Sequence, residues 1–221
     1  MPFLPLLAGA VMAVGQYFIW MYAPVEETMG IVQKIFYMHM PMAWWSLVSF
    51  FVVFVASILF LAKKTPFWDH LAGASAEIGV VLSSLALITG SLWARPIWNV
   101  WWTWDPRLTT TLIMWFVYVA YLLVRSADVG GERRGTISAV LGIVAFLDVP
   151  LVFLSARYWR SIHPAVLGSK SGGMEPEMWT TLIVCLIGWG LLWSVFLIIR
   201  TKLSLNEAKV GRLALKRFDS A

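Results

Sequence analysis

Residues 41–61 read PMAWWSLVSFFVVFVASILFL and carry no charged side chain. That length matches the roughly 20 residues a helix needs to cross the hydrocarbon core of a bilayer. The run is apolar all the way round, as suits a segment that must satisfy its backbone hydrogen bonds internally. The same reading picks out five further stretches, 3–22, 71–92, 108–124, 136–155 and 179–199. Composition agrees: of 221 residues 60% are hydrophobic and 13% charged, with a mean hydropathy of +0.76. A water-soluble domain of this size could not hide so much apolar surface. The expected fold is all-α, a polytopic membrane bundle of six transmembrane helices forming one domain over 1–221, with a polar tail from about residue 200.

No basic residue precedes the first stretch, and the small residues at Ala8 to Ala10 follow too short an apolar run for a cleavage site. An uncleaved span is expected. The single cysteine, Cys185, excludes an internal disulfide framework and a C-x-x-C-H haem-attachment motif. The chain also lacks G-x-x-x-x-G-K-[ST], so any ATP chemistry would belong to a partner.

Net charge is +5, and its distribution makes nucleic acid an unnecessary partner. Lys63, Lys64, Arg125, Arg133, Arg134, Arg200, Lys202, Lys209, Arg212, Lys216 and Arg217 follow the second, fourth and sixth spans. Lys34, Arg95, Arg107, Arg157, Arg160 and Lys170 follow the first, third and fifth. The excess places both termini in the cytoplasm by the positive-inside bias. The four arginines on the outer side stand against that bias. A guanidinium holds a carboxylate through two parallel hydrogen bonds, so anion binding competes here with simple snorkelling.

Two of those arginines lie within WARPIWNVWWTWDPRLTTT, residues 93–111, which carries Trp93, Trp98, Trp101, Trp102 and Trp104. Pro96 and Pro106 bracket the segment. Between them Trp98, Trp101, Trp102 and Asp105 recur at i, i+3, i+4 and i+7, which predicts a short helix lying along the outer interface. An aromatic belt would scatter tryptophans over all the span ends; five in one loop exceed that need. Two histidines fall on the same side, His39 in FYMHMPMAWW and His163 in YWRSIHPAVLG, whereas His70 falls on the inner side beside Asp69. Indoles for a flat ring, arginines for carboxylates and two imidazoles for a metal together describe a haem site.

These motifs carry a resemblance. WARPIWNVWWTWDPRLT resembles the Trp-rich signature of the haem-handling membrane proteins of cytochrome c biogenesis. With FYMHMPMAW around His39 and DVPLVFLSARYWRSIHP around His163, the chain resembles the haem exporter protein C (CcmC) family over essentially its whole length. Ala94 and Asn99 stand where the signature leads one to expect glycine. The resemblance implies a non-enzymatic protein of the bacterial inner membrane that holds haem b on the periplasmic face. It would present haem to the chaperone CcmE, in a complex with CcmD and the CcmA–CcmB ATPase transporter. It implies His39 and His163 as axial iron ligands. The surrounding site would comprise Trp93, Trp98, Trp101, Trp102, Trp104 and Asp105, with Arg95, Arg107, Arg157 and Arg160 as candidates for the propionates.

Two other readings stay open at this point: a haem-attachment synthetase subunit of the related Trp-rich proteins, and a permease whose Trp loop is only an interfacial anchor. A permease should place polar groups near the bilayer midplane, and the spans offer little beyond Glu77; Asp148, before Pro150 in the fifth span, is a separate candidate for a site role. Met40 is a lesser candidate for the iron.

Overall fold

The computed structural model describes residues 3–127, 131–159 and 174–219. Seven α-helices follow one another: α1 (Phe3–Tyr17), α2 (Phe36–Lys63), α3 (Pro66–Trp98), α4 (Pro106–Ser126), α5 (Gly131–Ala145), α6 (Asp148–Tyr158) and α7 (Pro176–Asp219). A π-helical turn, Phe18–Tyr22, extends α1, and a 3-10 turn, Ile31–Ile35, leads into α2. Among the described residues six helical segments are long and apolar enough to cross a membrane, and α5 and α6 together make the fifth. This is the expected bundle: the first span keeps its bounds, and the others extend outward at one or both ends.

Prolines explain where the helices bend and stop. Pro24 drives Ala23 into extended backbone (φ −67°, ψ 129°), which closes the first span. Pro66 opens α3 at a position where its missing N–H costs nothing. Pro150 cannot donate to the Phe146 carbonyl, and the fifth span breaks into a turn at Phe146 and Leu147. Pro41 and Pro96 are tolerated inside α2 and α3. Each removes one backbone hydrogen bond near a helix end, too little to end the helix there.

Helices α2 and α3 form the centre and contact α4, α5 and α7, while α1 packs on α7 and α6 on α4. Close approach of the central pair rests on small residues. Ala72, Ala76, Gly79, Ser83, Ala86 and Gly90 fall on one face of α3, at spacings of three and four. A Cβ on Gly79 would stand 2.5 Å from the Phe50 ring, so the ring occupies the space that glycine leaves. Polar groups pin the bundle across its helices. Ser75 donates to the Ser49 carbonyl (2.9 Å), Trp193 Nε1 to Ser49 Oγ (2.7 Å), Trp45 Nε1 to the Leu186 carbonyl (3.0 Å) and Trp115 Nε1 to Ser84 Oγ (2.7 Å). Several tryptophans therefore serve the fold by burying a ring and satisfying its N–H inside the bundle.

Two ion pairs tie the end of the bundle that carries the 63–66 turn. Arg125 on α4 grips Asp69 on α3 at 2.6 Å and also donates to the Asp69 carbonyl at 3.0 Å. Arg200 on α7 takes Glu77 on α3 through Nε (2.5 Å) and Nη2 (2.9 Å). Glu77 thus has a partner on α7. His70, read from the sequence as an ordinary polar position, bonds Ser204 through Nδ1 at 2.7 Å.

The two pairs differ in burial: the side chains are 14% and 11% exposed in the first, 36% and 40% in the second. Removing one partner of a buried pair costs about 3–5 kcal/mol, whereas an exposed pair contributes about 0–1 kcal/mol. Arg125→Ala should lower the thermal unfolding midpoint of the detergent-solubilised protein markedly. Arg200→Ala should leave it near wild type.

Candidate functional site

At the opposite end of the bundle α2 starts, α3 ends and α4 starts. Two of the sequence motifs meet there. His39 lies on α2 itself, in its second helical turn, rather than ahead of the helix as expected. The 3-10 turn at Ile31–Ile35 carries helical winding back past Pro41. Its half-buried imidazole faces α3: Nδ1 stands 3.0 Å from Thr89 Oγ1, and the ring centre lies 6.0 Å from that of Trp93. Gly90 completes this contact, since a Cβ there would lie 3.1 Å from His39 Cε1.

Trp93 is the buried member of the tryptophan run, 3% exposed, and packs against Phe36 with ring centres 5.9 Å apart. Trp98 follows one turn later with its ring centre 6.5 Å away. The short interfacial helix expected beyond it does not form. Helix α3 overruns Pro96 and stops at Asn99, whose left-handed backbone (φ 56°, ψ 25°) ends the winding. Asparagine tolerates that conformation better than other residues with a side chain, which explains how it can replace a glycine there. Residues 100–104 are irregular, so the i, i+3, i+4, i+7 spacing of Trp98, Trp101, Trp102 and Asp105 is not realised as a helical face.

The irregular path turns part of the aromatic surface outward. Trp101 is 58% and Trp104 76% exposed, while Trp98 and Trp102 are half-buried. Trp102 and Trp104 meet edge to face at 5.9 Å. Arg95 sits over Trp101 with its guanidinium carbon 5.8 Å from the ring centre. It also donates to the Asn99 carbonyl at 2.8 Å and contacts the Asn99 side chain. Asp105 is buried and caps α4: its Oδ1 accepts from the Arg107 backbone N–H at 2.9 Å, and Pro106 takes the first helical position. Its side chain therefore has a local structural use. Arg107 follows in the first turn of α4 and is half-buried.

Lys34 belongs to a different device. Its buried ammonium donates to the Ile19 carbonyl (2.6 Å) and the Trp20 carbonyl (3.3 Å) and lies 5.5 Å from the Trp20 ring centre. A cation at the C-terminal end of a helix satisfies carbonyls that the helix leaves unpaired.

His163 and Arg160 lie outside the described residues. Arg157 is on α6, but its side chain is likewise not described. The structure thus brings His39 against Trp93, with Trp98 next along α3 and Arg95 over Trp101, while Trp102, Trp104, Asp105 and Arg107 lie on the connection into α4 at the same end. Asp148 begins α6 after the break, and its Oδ2 is buried with no hydrogen-bond partner among the described residues. Thr89 is the residue that sequence reasoning missed. A threonine in an apolar span gives no local signal of a role, and only the pairing of α2 with α3 reveals its contact.

A flat apolar ligand with anionic edges suits what is present. The site offers an imidazole on a rigid helix with a buried indole beside it, exposed indoles further along the same segment and two arginines within that segment. Buried polar atoms add to this. Trp93 Nε1, Thr103 Oγ1 and Thr109 Oγ1 have no hydrogen-bond partner among the described residues, at the end where a polar ligand edge could meet them.

The family model for CcmC, Heme exporter protein C, matches residues 1–216. The chain belongs to the CcmC family. Heme exporter protein C of Bradyrhizobium diazoefficiens is 34% identical over 86% of this chain and 74% of its own length. The protein of the same name from Rhodobacter capsulatus is 29% identical, covering 87% and 81%. That from Escherichia coli K12 is 28% identical, covering 98% and 90%. Similarity to the CcmC relatives therefore runs through every span and is not confined to the tryptophan segment.

Capping by Asp105 can be separated from any contact with a ligand. Asn also caps well, whereas Ala does not, and loss of a cap costs about 1 kcal/mol. Asp105→Asn should keep wild-type thermal stability and Asp105→Ala should lose it by about that amount, measured by circular dichroism in detergent.

Proposed function

We propose that this CcmC-family chain binds haem b at the periplasmic face of the bacterial inner membrane and delivers it to the chaperone CcmE during cytochrome c maturation. The observation that carries the reading is the contact of His39 with α3 beside Trp93, which links a metal-ligand type to the start of the tryptophan run. The excess of basic residues at the other end of the bundle supports the periplasmic assignment for this one and the cytoplasmic assignment for both termini. The names of the relatives support the cargo.

Haem, when bound, would supply an iron for imidazole nitrogen and carboxylates for cationic partners. His39 and His163 would hold the iron. Trp98 and Trp102, half-buried, would border the ring. Arg95 and Arg107 lie within reach of the same segment, and Arg157 and Arg160 are the alternative pair for the carboxylates. Trp101 and Trp104 project furthest and are the surface that a chaperone would meet. CcmD and the CcmA–CcmB transporter are the further partners that family membership suggests. The chain's own part is to bind, orient and release haem rather than to transform it.

Detergent-purified wild-type protein should carry low-spin haem absorbance. His39→Ala and His163→Ala should each lose most of it. The double variant Trp101→Ala/Trp104→Ala should retain haem but load purified CcmE more slowly. A wild type without haem, or two histidine variants that keep it in full, would remove the ligand assignment.

A further inference from the structure

Four residues of α3 meet His39: Ala86 through its backbone, Thr89 through its hydroxyl, Gly90 through the space it leaves and Trp93 through its ring. Their spacing of i, i+3, i+4 and i+7 is one face of a helix. The imidazole is thus seated against α3 as well as carried by α2. A histidine on a helix otherwise keeps rotamer freedom about two side-chain bonds, which a metal ligand can ill spare.

Thr89 decides the direction of the hydrogen bond. Its hydroxyl has one proton, and two carbonyls of its own helix lie in donating range, Leu85 at 2.7 Å and Ala86 at 3.2 Å. With the proton given to the backbone, the oxygen presents lone pairs to His39 Nδ1 at 3.0 Å. Nδ1 then donates. A neutral imidazole has a single N–H, for which the Ala86 backbone acceptor competes; where Nδ1 holds it, Nε2 carries the lone pair that a metal requires.

We infer that Thr89 is a positioning residue for His39: it fixes the Nδ1–H tautomer and the ring angle, while Gly90 keeps the space in which that angle is possible. The inference rests on the reading of His39 as an iron ligand. Outer partners of metal-bound histidines typically contribute 10–100-fold in affinity, and Thr89 should fall in that range. Removal of its hydroxyl should also make the bound imidazole a weaker electron donor, which favours the ferrous state.

The test uses the full chain in detergent, titrated with hemin. Thr89→Val keeps the shape and deletes the hydroxyl; Thr89→Ser restores the hydroxyl on a smaller side chain. Thr89→Val should bind hemin about 10–100-fold more weakly, shift the midpoint potential upward and broaden the ferric electron paramagnetic resonance signal. Thr89→Ser should return all three toward wild type. Gly90→Ala should broaden the same signal, because its Cβ presses on His39 Cε1.

Should Thr89→Val fail to accumulate in the membrane, Thr89→Ala decides by the same readouts without steric conflict. Wild-type affinity, potential and line shape in the hydroxyl-free variant would overturn the inference. If that happens while His39→Ala still loses haem, the ligand reading stands and only the role of Thr89 falls. If wild type takes up no hemin at all, the ligand reading itself fails.

Discussion

The contact between α2 and the small-residue face of α3 is the constraint on which the rest of the molecule depends. Where α3 offers Gly79, α2 inserts the Phe50 ring; where it offers Ser75, a hydroxyl reaches the Ser49 carbonyl. Lipid gives helices no hydrophobic reason to associate, so close packing and buried hydrogen bonds must hold them. Both act along this one seam. At its far end the same face, now Ala86 and Gly90, receives His39. The device that packs the bundle is therefore the device that seats the imidazole.

Polar groups divide between the two ends of the bundle in a way that separates stability from chemistry. At the 63–66 end three ionisable residues of α3 find partners: Asp69 with Arg125, Glu77 with Arg200, His70 with Ser204. At the other end several polar and aromatic groups are exposed or lack partners among the described residues, as with Trp101, Trp104 and the indole N–H of Trp93. The ion pairs between helices therefore sit at one end of the bundle and the exposed indoles at the other.

Much of this was legible in the sequence. Long runs without charge announced the spans, and residues 93–111 announced the aromatic cluster, because both signals are local. Failures came where a local signal competed with a weaker cost. Pro96 was read as a helix start, yet one lost hydrogen bond did not stop α3, and the asparagine after Trp98 stopped it instead. Asp105 carries two signals at once, since Asp followed by Pro is also a helix start, and its cap on α4 is the use the structure shows. Glu77 was legible as an anomaly but not as a pair, since Arg200 lies 123 residues away. Thr89 was invisible for the same reason: its partner is 50 residues distant on another helix.

The central claim is that α3 aims His39 at an iron shared with a second histidine. Electron spin echo envelope modulation of ferric haem in the full chain, with histidine uniformly labelled with ¹⁵N, tests it most directly. Coordinated nitrogen from two histidines is expected. Coupling to one histidine or none, with the second axial position held by another residue or by solvent, would contradict it.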